Sequence, residues 1–293
     1  MAMKPGWVGL AILFYLVGLG CRALAWIMLL QSKAEFGQVF LTLNEGYLIN
    51  NIFPFRLGEL ARAVLLGESA GLSSLFVLST IVIERAYDLL IAAGLLLGTL
   101  PIVLGMPVAR TAAYITLILV GGGLITLYLI AKERAVVQGW LNHQAEKRDF
   151  LKYKVVPRLG SLIDGLGVLT HPYQFTMSVL FMLVSWFFAI VEVHALMLGE
   201  AISVPLWWTA FVLGVISLGI ALPSAPAAIG VYEAASVAAW TLLGVPFAQA
   251  LAVALVGHLI HITITGLIGG YGFFRDGETL SGIYLRIRKI RSS

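Results

Sequence analysis

Apolar runs long enough to cross a bilayer recur along this chain, and such runs leave few folding choices. Hydrocarbon offers no water to backbone N–H and C=O groups, so a spanning segment must satisfy them as a helix or in a closed barrel. Uninterrupted runs lie near 7–30, 73–101, 108–131, 174–199 and 247–274. A helix of about 24 residues is ~36 Å long, more than the ~30 Å hydrocarbon core. A barrel would instead show ~10-residue alternating segments, and none is apparent. The expected fold is an all-α polytopic membrane protein, one transmembrane domain over 1–293. Composition agrees: 60% of the 293 residues are hydrophobic and 12% charged, against about half and a quarter in soluble domains. This excludes a soluble globular enzyme, a disordered tail and a disulfide scaffold. The first run follows Lys4-Pro5 and is too long for a signal-peptide core, so it is expected to be a retained helix. Cys21 is the one cysteine, so no disulfide forms within the chain.

Basic residues suggest sides. The 132–172 loop and the tail after 274 hold twelve of the nineteen Lys and Arg, whereas 200–246 holds none. The positive-inside rule places the loop and the C-terminus in the cytoplasm and the N-terminus outside. The expected location is integral to the membrane, specifically the cytoplasmic membrane of a prokaryote. The loop, with four acids beside seven bases, reads as a solvated segment touching anionic lipid, with room for a surface helix. The net charge of +4 is an orientation signal, so no nucleic-acid partner is expected.

Two further apolar regions, about 36–66 and 203–243, are interrupted, and they resemble each other. One reads Pro54-Phe-Arg56-Leu-Gly58-Glu59; the other reads Pro226-Ala-Ala-Ile-Gly230-Val-Tyr-Glu233. Each continues through a second glycine, Gly71 or Gly244, into a long apolar helix. Seventeen residues past that glycine stands Asp88 or His261, and three before it Arg85 or His258. Three full spans separate the regions, so an odd number of crossings inverts the second copy. The expectation is an inverted repeat, the first copy about 7–101 and the second about 174–275, each with a broken or re-entrant helical region. Pro54, Gly58, Pro223, Pro226 and Gly230 are the candidate helix breaks, because proline removes a donor and glycine supplies unusual backbone angles. Broken backbone at membrane depth must be buried in protein or face a wet cavity, and inverted repeats with broken helices mark transporters.

Charges in apolar segments cost about 2.5–3.5 kcal/mol each unless paired or hydrated, so they are the candidate site. Arg56 and Arg62 flank the first break and read either as head-group ligands, because a guanidinium stays ionised and donates a planar fork to phosphate, or as arginines that mark the cytoplasmic interface. Arg85 either binds a head group or closes an ion pair with Asp88; Glu84 shares the face of Asp88. Asn50 and Asn51 can bond the unwound backbone or a head group. Glu59 and Glu233 read either as helix-end caps or as titrating carboxylates in a transport path. His258 and His261 share a helix face, for helix–helix hydrogen bonds or proton relay. Arg22, Glu45 and Glu192 are charged positions without an assigned role, and Glu192 and His194 point apart. No metal site is expected, since no Cys/His cluster supports one. No cofactor is expected, and no Gly-x4-Gly-Lys-Ser/Thr loop for nucleotide occurs.

The stretch Asn50-Asn51-Ile-Phe-Pro54-Phe-Arg56-Leu-Gly58-Glu59-Leu-Ala-Arg62-Ala63 resembles the signature of the flippase-like transmembrane family, the membrane region of lysylphosphatidylglycerol synthase and its stand-alone relatives. Ile83-Glu84-Arg85-Ala-Tyr-Asp88 and Pro223-Ser-Ala-Pro226-Ala-Ala-Ile-Gly230-Val-Tyr-Glu233-Ala are similar to it too, and the likeness runs from about 7 to 275. It implies movement of a lipid between leaflets: a phospholipid, an aminoacylated phospholipid or a polyprenyl-linked lipid. Unlike the bifunctional members, this chain has no soluble aminoacyl-transferase domain, so no lipid synthesis and no enzyme activity are expected of it. The expected function is a lipid flippase with a membrane lipid as substrate and protons as candidate coupling ion. The alternatives are a membrane-embedded lipid-modifying enzyme and a non-transporting assembly factor.

Overall fold

A computed structural model describes residues 3–99, 107–145, 155–221, 225–277, 279 and 282. Every regular element among them is helical, so the all-α expectation holds. The order is α1 (Pro5–Leu29), α2 (Phe36–Ile52), α3 (Leu57–Ser69), α4 (Ser74–Thr99), α5 (Pro107–Lys132), α6 (Arg134–Ala145), α7 (Val156–Leu166), α8 (Pro172–Gly199), α9 (Leu206–Ala221), α10 (Val231–Leu242) and α11 (Phe247–Asp276). Prolines stand in the first turn of α1, α7 and α8, where a missing N–H costs nothing. Three helices, α1, α8 and α11, are long and apolar enough to cross a membrane by length and composition. α4 has the length, at 26 residues, but carries Glu84, Arg85 and Asp88 in its middle.

Large apolar side chains point outward: Ile118 and Leu119 on α5 are 71% and 69% exposed, Leu267 on α11 68%. In water such a surface would be a liability; in hydrocarbon it is the solvent-matched face. Inside, small residues let backbones approach. Ser185 Oγ of α8 donates to the Gly18 carbonyl of α1 at 2.9 Å. Gly269 of α11 lies against the Asn44 backbone of α2, and Gly214 of α9 against Ala92 and Leu96 of α4.

Each interrupted region is a helical hairpin. In the first, Gln38 reaches the Ser69 carbonyl at 3.1 Å and Asn50 Oδ1 accepts from the Gly58 N–H at 2.8 Å, so the arms run antiparallel. Its arms hold 17 and 13 residues; those of the second hold 16 and 12. The longest arm is therefore about 25 Å, short of a ~30 Å core. Both turns use the same backbone. After Pro54, Phe55 and Arg56 take φ 63° and 53°; after Pro226, Ala227 and Ala228 take φ 54° and 55°. Left-handed conformation costs a non-glycine residue roughly 1–2 kcal/mol, so each turn stores strain at two adjacent positions. Gly71 and Gly244, the landmarks that follow, are both left-handed too, at φ 65° and 87°. Pro223 lies outside the described residues.

The packing follows the same correspondence. α1 pairs with α8; α2 packs on α11 as α9 packs on α4; α3 lies on α4 as α10 lies on α11. The 132–172 loop departs from the solvated expectation. Its described residues hold two α-helices, and α7 is partly embedded: Ile163, Gly165 and Leu166 are buried, and Gly165 sits against Phe76 and Ser79 of α4. Residues 146–154 of that loop and nearly all of the tail beyond 277 lie outside the described residues.

Candidate functional site

A cavity of about 380 Å³ opens between the hairpins. Helices α1 to α4 and α8 to α11 line it, together with both turns. Its walls differ in charge.

One wall is an ion cluster tying four helices. Glu84 is its hub. It accepts from Arg22 of α1 at 3.0 Å, Arg62 of α3 at 2.5 Å and Arg85 of its own helix at 2.6 Å. Asp88, one turn on, takes two bonds from Arg22 at 2.9 and 2.6 Å and one from Trp186 of α8 at 3.1 Å, and it meets Arg85 at 3.2 Å. The Arg85/Asp88 pair is thus not self-contained. Three guanidiniums face two carboxylates, so the cluster carries a surplus of one positive charge. Arg62 is buried, stacked over the Trp26 ring at 3.8 Å. It and Glu84 stand behind the cavity, whereas Arg22, Arg85 and Asp88 line it. Among the described residues, Nε of Arg85 has no hydrogen-bond partner.

The first turn adds a cation. Arg56 lines the cavity beside Glu59 and Asn50. Its guanidinium makes no ion pair or hydrogen bond among the described residues. Asn50 holds the turn together: it accepts from the Gly58 N–H and donates to Glu59 at 3.3 Å. Asn51 donates to Thr265 of α11 at 3.1 Å, joining the hairpin to the last helix.

The opposite wall holds two histidine–carboxylate pairs. His258 Nδ1 meets Glu233 Oε1 at 2.5 Å, and its Nε2 meets the Ala227 carbonyl at 2.9 Å. Glu233 also accepts from the Gly230 N–H at 2.7 Å, so it caps α10 as well as binding the histidine. His261 Nε2 meets Glu192 Oε1 of α8 at 2.7 Å. Tyr15 stacks on His261 at 4.3 Å and Tyr232 on His258 at 4.4 Å, fixing both rings. Among the described residues no group of three His, Cys, Asp or Glu converges as metal ligands.

The sequence model of one family, the lysylphosphatidylglycerol synthase TM region, matches residues 1–269. The chain belongs to that family. It is therefore an integral membrane protein of a lipid-related family. No curated protein sequence and no solved structure matches it.

In this lysylphosphatidylglycerol synthase-type membrane domain, the expected candidates gather at one cavity. Arg56, Arg85, Asn50, Asn51, Glu59, Asp88, His258 and His261 line it, and Glu233 contacts it through His258. Sequence reasoning left Arg22 and Glu192 without a role. Their signal was present, a lone charge in the middle of an apolar helix, but their partners lie on other helices. Trp186 and Tyr15 carried no such signal, since aromatic residues are ordinary in spanning helices.

Proposed function

We propose that this chain moves a lipid with an anionic, phosphate-bearing head group between leaflets. The observation that carries the reading is Arg56. A guanidinium with no partner among the described residues stands at a strained turn and faces a cavity whose neighbouring wall carries surplus positive charge. A monoanionic phosphate would offset that charge and take bonds from Arg56 and from the cavity-facing side chain of Arg85. Arg22, Arg62 and Glu84 then position Arg85 rather than touch the head group. Apolar cavity residues such as Leu19, Leu89 and Ile262 leave a path for acyl chains.

The two hairpins support an inverted-repeat reading, α1–α4 against α8–α11. Matching turns, matching left-handed residues and exchanged packing partners all fit it. In this reading the halves rock about the α1/α8 contact and expose the cavity to each leaflet in turn. The 132–172 segment and the C-terminus lie in the cytoplasm, and the chain acts without making or breaking a covalent bond.

The test is transbilayer movement of head-group-labelled lipids in liposomes holding the purified protein. The panel is phosphatidylglycerol, its aminoacylated form and a polyprenyl phosphate. Protein-dependent movement of at least one is expected. Arg56→Ala is expected to slow it by roughly 10–100-fold, the equivalent of one charge-assisted hydrogen-bonded contact at about 1.5–3 kcal/mol, with unfolding temperature unchanged. Normal movement in Arg56→Ala would remove the head-group assignment. Release of a chemically altered lipid would point to an enzyme instead.

A further inference from the structure

We propose that Glu233 and His258 form a proton-binding site that locks the second helix break, and that releasing the proton frees it. The site deepens the translocation reading and rests on it only for the link to lipid movement.

Hydrogen-bond chemistry determines the proton count. The Ala227 carbonyl can only accept, so the 2.9 Å contact requires a hydrogen on His258 Nε2. If the ring were neutral and the carboxyl ionised, Nδ1 would present a lone pair to the lone pairs of Glu233 Oε1 at 2.5 Å. Two acceptors do not sit at that distance, so a second proton lies between them. The pair is then formally neutral, whether that proton is nearer nitrogen or oxygen.

This proton closes both ends of the turn. His258 holds Ala227, on the α9 side. Glu233 holds the Gly230 N–H, on the α10 side, at 2.7 Å. Loss of the shared proton to cavity water takes the pair from neutral to one negative charge. The imidazole is left with a single N–H facing two acceptors. It can keep Ala227 or Glu233, not both. Either outcome unties the turn, where Ala227 and Ala228 are held left-handed at φ 54° and 55°. Ala225, Ala227 and Ala228 line the cavity, so the turn that loosens is part of the cavity wall.

His261 differs. Its Nε2 alone contacts a carboxylate, Glu192, at 2.7 Å. A neutral ring with the hydrogen on Nε2 satisfies that contact, so no extra proton is required there. The other titratable groups facing the site are Tyr232 of α10, stacked on His258, and His261 with Tyr15 of α1 and Glu192 of α8 behind it. Helix α9 contributes no titratable side chain. α2 contributes Tyr47 to the cavity wall and carries Glu45.

The test uses the full chain in nanodiscs, with Cys21→Ser and a nitroxide on Ala228→Cys. Raising the pH from about 5 to about 9 is expected to mobilise the label several-fold. Glu233→Gln is expected to keep it immobile throughout. There the amide carbonyl accepts from Gly230, its N–H donates to Nδ1, and no shared proton remains to be lost. His261→Gln is expected to retain the pH response. A label that ignores pH, or responds equally in Glu233→Gln, overturns the proposal. Because Ala228→Cys alters the turn itself, a second measurement uses the unlabelled chain. ¹⁵N NMR of the histidines, with His258 assigned by its loss in His258→Gln, is expected to show protonated Nε2 and a proton shared at Nδ1 near pH 6. A bare Nδ1 at that pH overturns the proposal. Neither readout needs a lipid substrate, so a responsive turn in a chain that moves no lipid leaves the proton site standing and removes translocation.

Discussion

Glu84→Gln is expected to destabilise the protein by about 3–5 kcal/mol, the usual cost of removing one partner from a buried ion pair. The glutamine keeps the volume and an acceptor, so the change isolates the charge. Arg22 and Arg85 would keep Asp88, while Arg62 would lose the carboxylate it bonds. Arg62 would suffer most, because it is buried and its ion pair is with Glu84. Thermal unfolding in detergent, followed by tryptophan fluorescence, measures the loss. The double variant Glu84→Gln/Arg62→Gln restores the original charge surplus and is expected to recover much of it. Parental stability in Glu84→Gln would mean that the cluster is hydrated and does not tie the helices together.

Gly58→Ala is the second large effect, and it acts through volume. A Cβ at position 58 would collide with the Gly46 carbonyl oxygen and come within 2.7 Å of the Asn50 amide. The first obstacle is backbone and cannot rotate away. Overpacking of this kind costs about 1–3 kcal/mol. Here it also pushes α3 off α2, displacing Arg56 and the turn, so lipid movement is expected to be lost with it. Gly71→Ala is the control. Nothing lies within 4 Å of its Cβ, but its φ of +65° carries the strain alone. It is expected to lower stability by roughly 1–2 kcal/mol and to leave lipid movement intact. Equal transport loss in both variants would separate the effect from the hairpin contact.

Hydropathy carried most of the fold in the sequence, because spanning helices are read along one dimension. The uninterrupted runs became helices with ends within a few residues. Pro54 and Pro226 marked the turns, since proline ends a helix everywhere beyond its first turn. Arg85 and Asp88 were readable as neighbours because three positions on one helix are neighbours. The partners of Arg62, Glu192 and Glu233 were not readable. Arg62 lies 22 positions from Glu84, and His261 lies 69 from Glu192. No periodicity links residues on separate helices. For the same reason Arg62 read as a head-group ligand, while its packing against Trp26 places it behind the cavity.

The ion cluster also has a history in time. Arg22 leaves the ribosome 62 residues ahead of Glu84 and 66 ahead of Asp88. At ~5–20 residues per second that interval is roughly 3–12 s. Throughout it, α1 must hold an unneutralised guanidinium, at about 2.5–3.5 kcal/mol if it sat at the bilayer centre. The apolar remainder of α1 outweighs that cost, so we expect the helix to enter lipid first and dock when α4 is made.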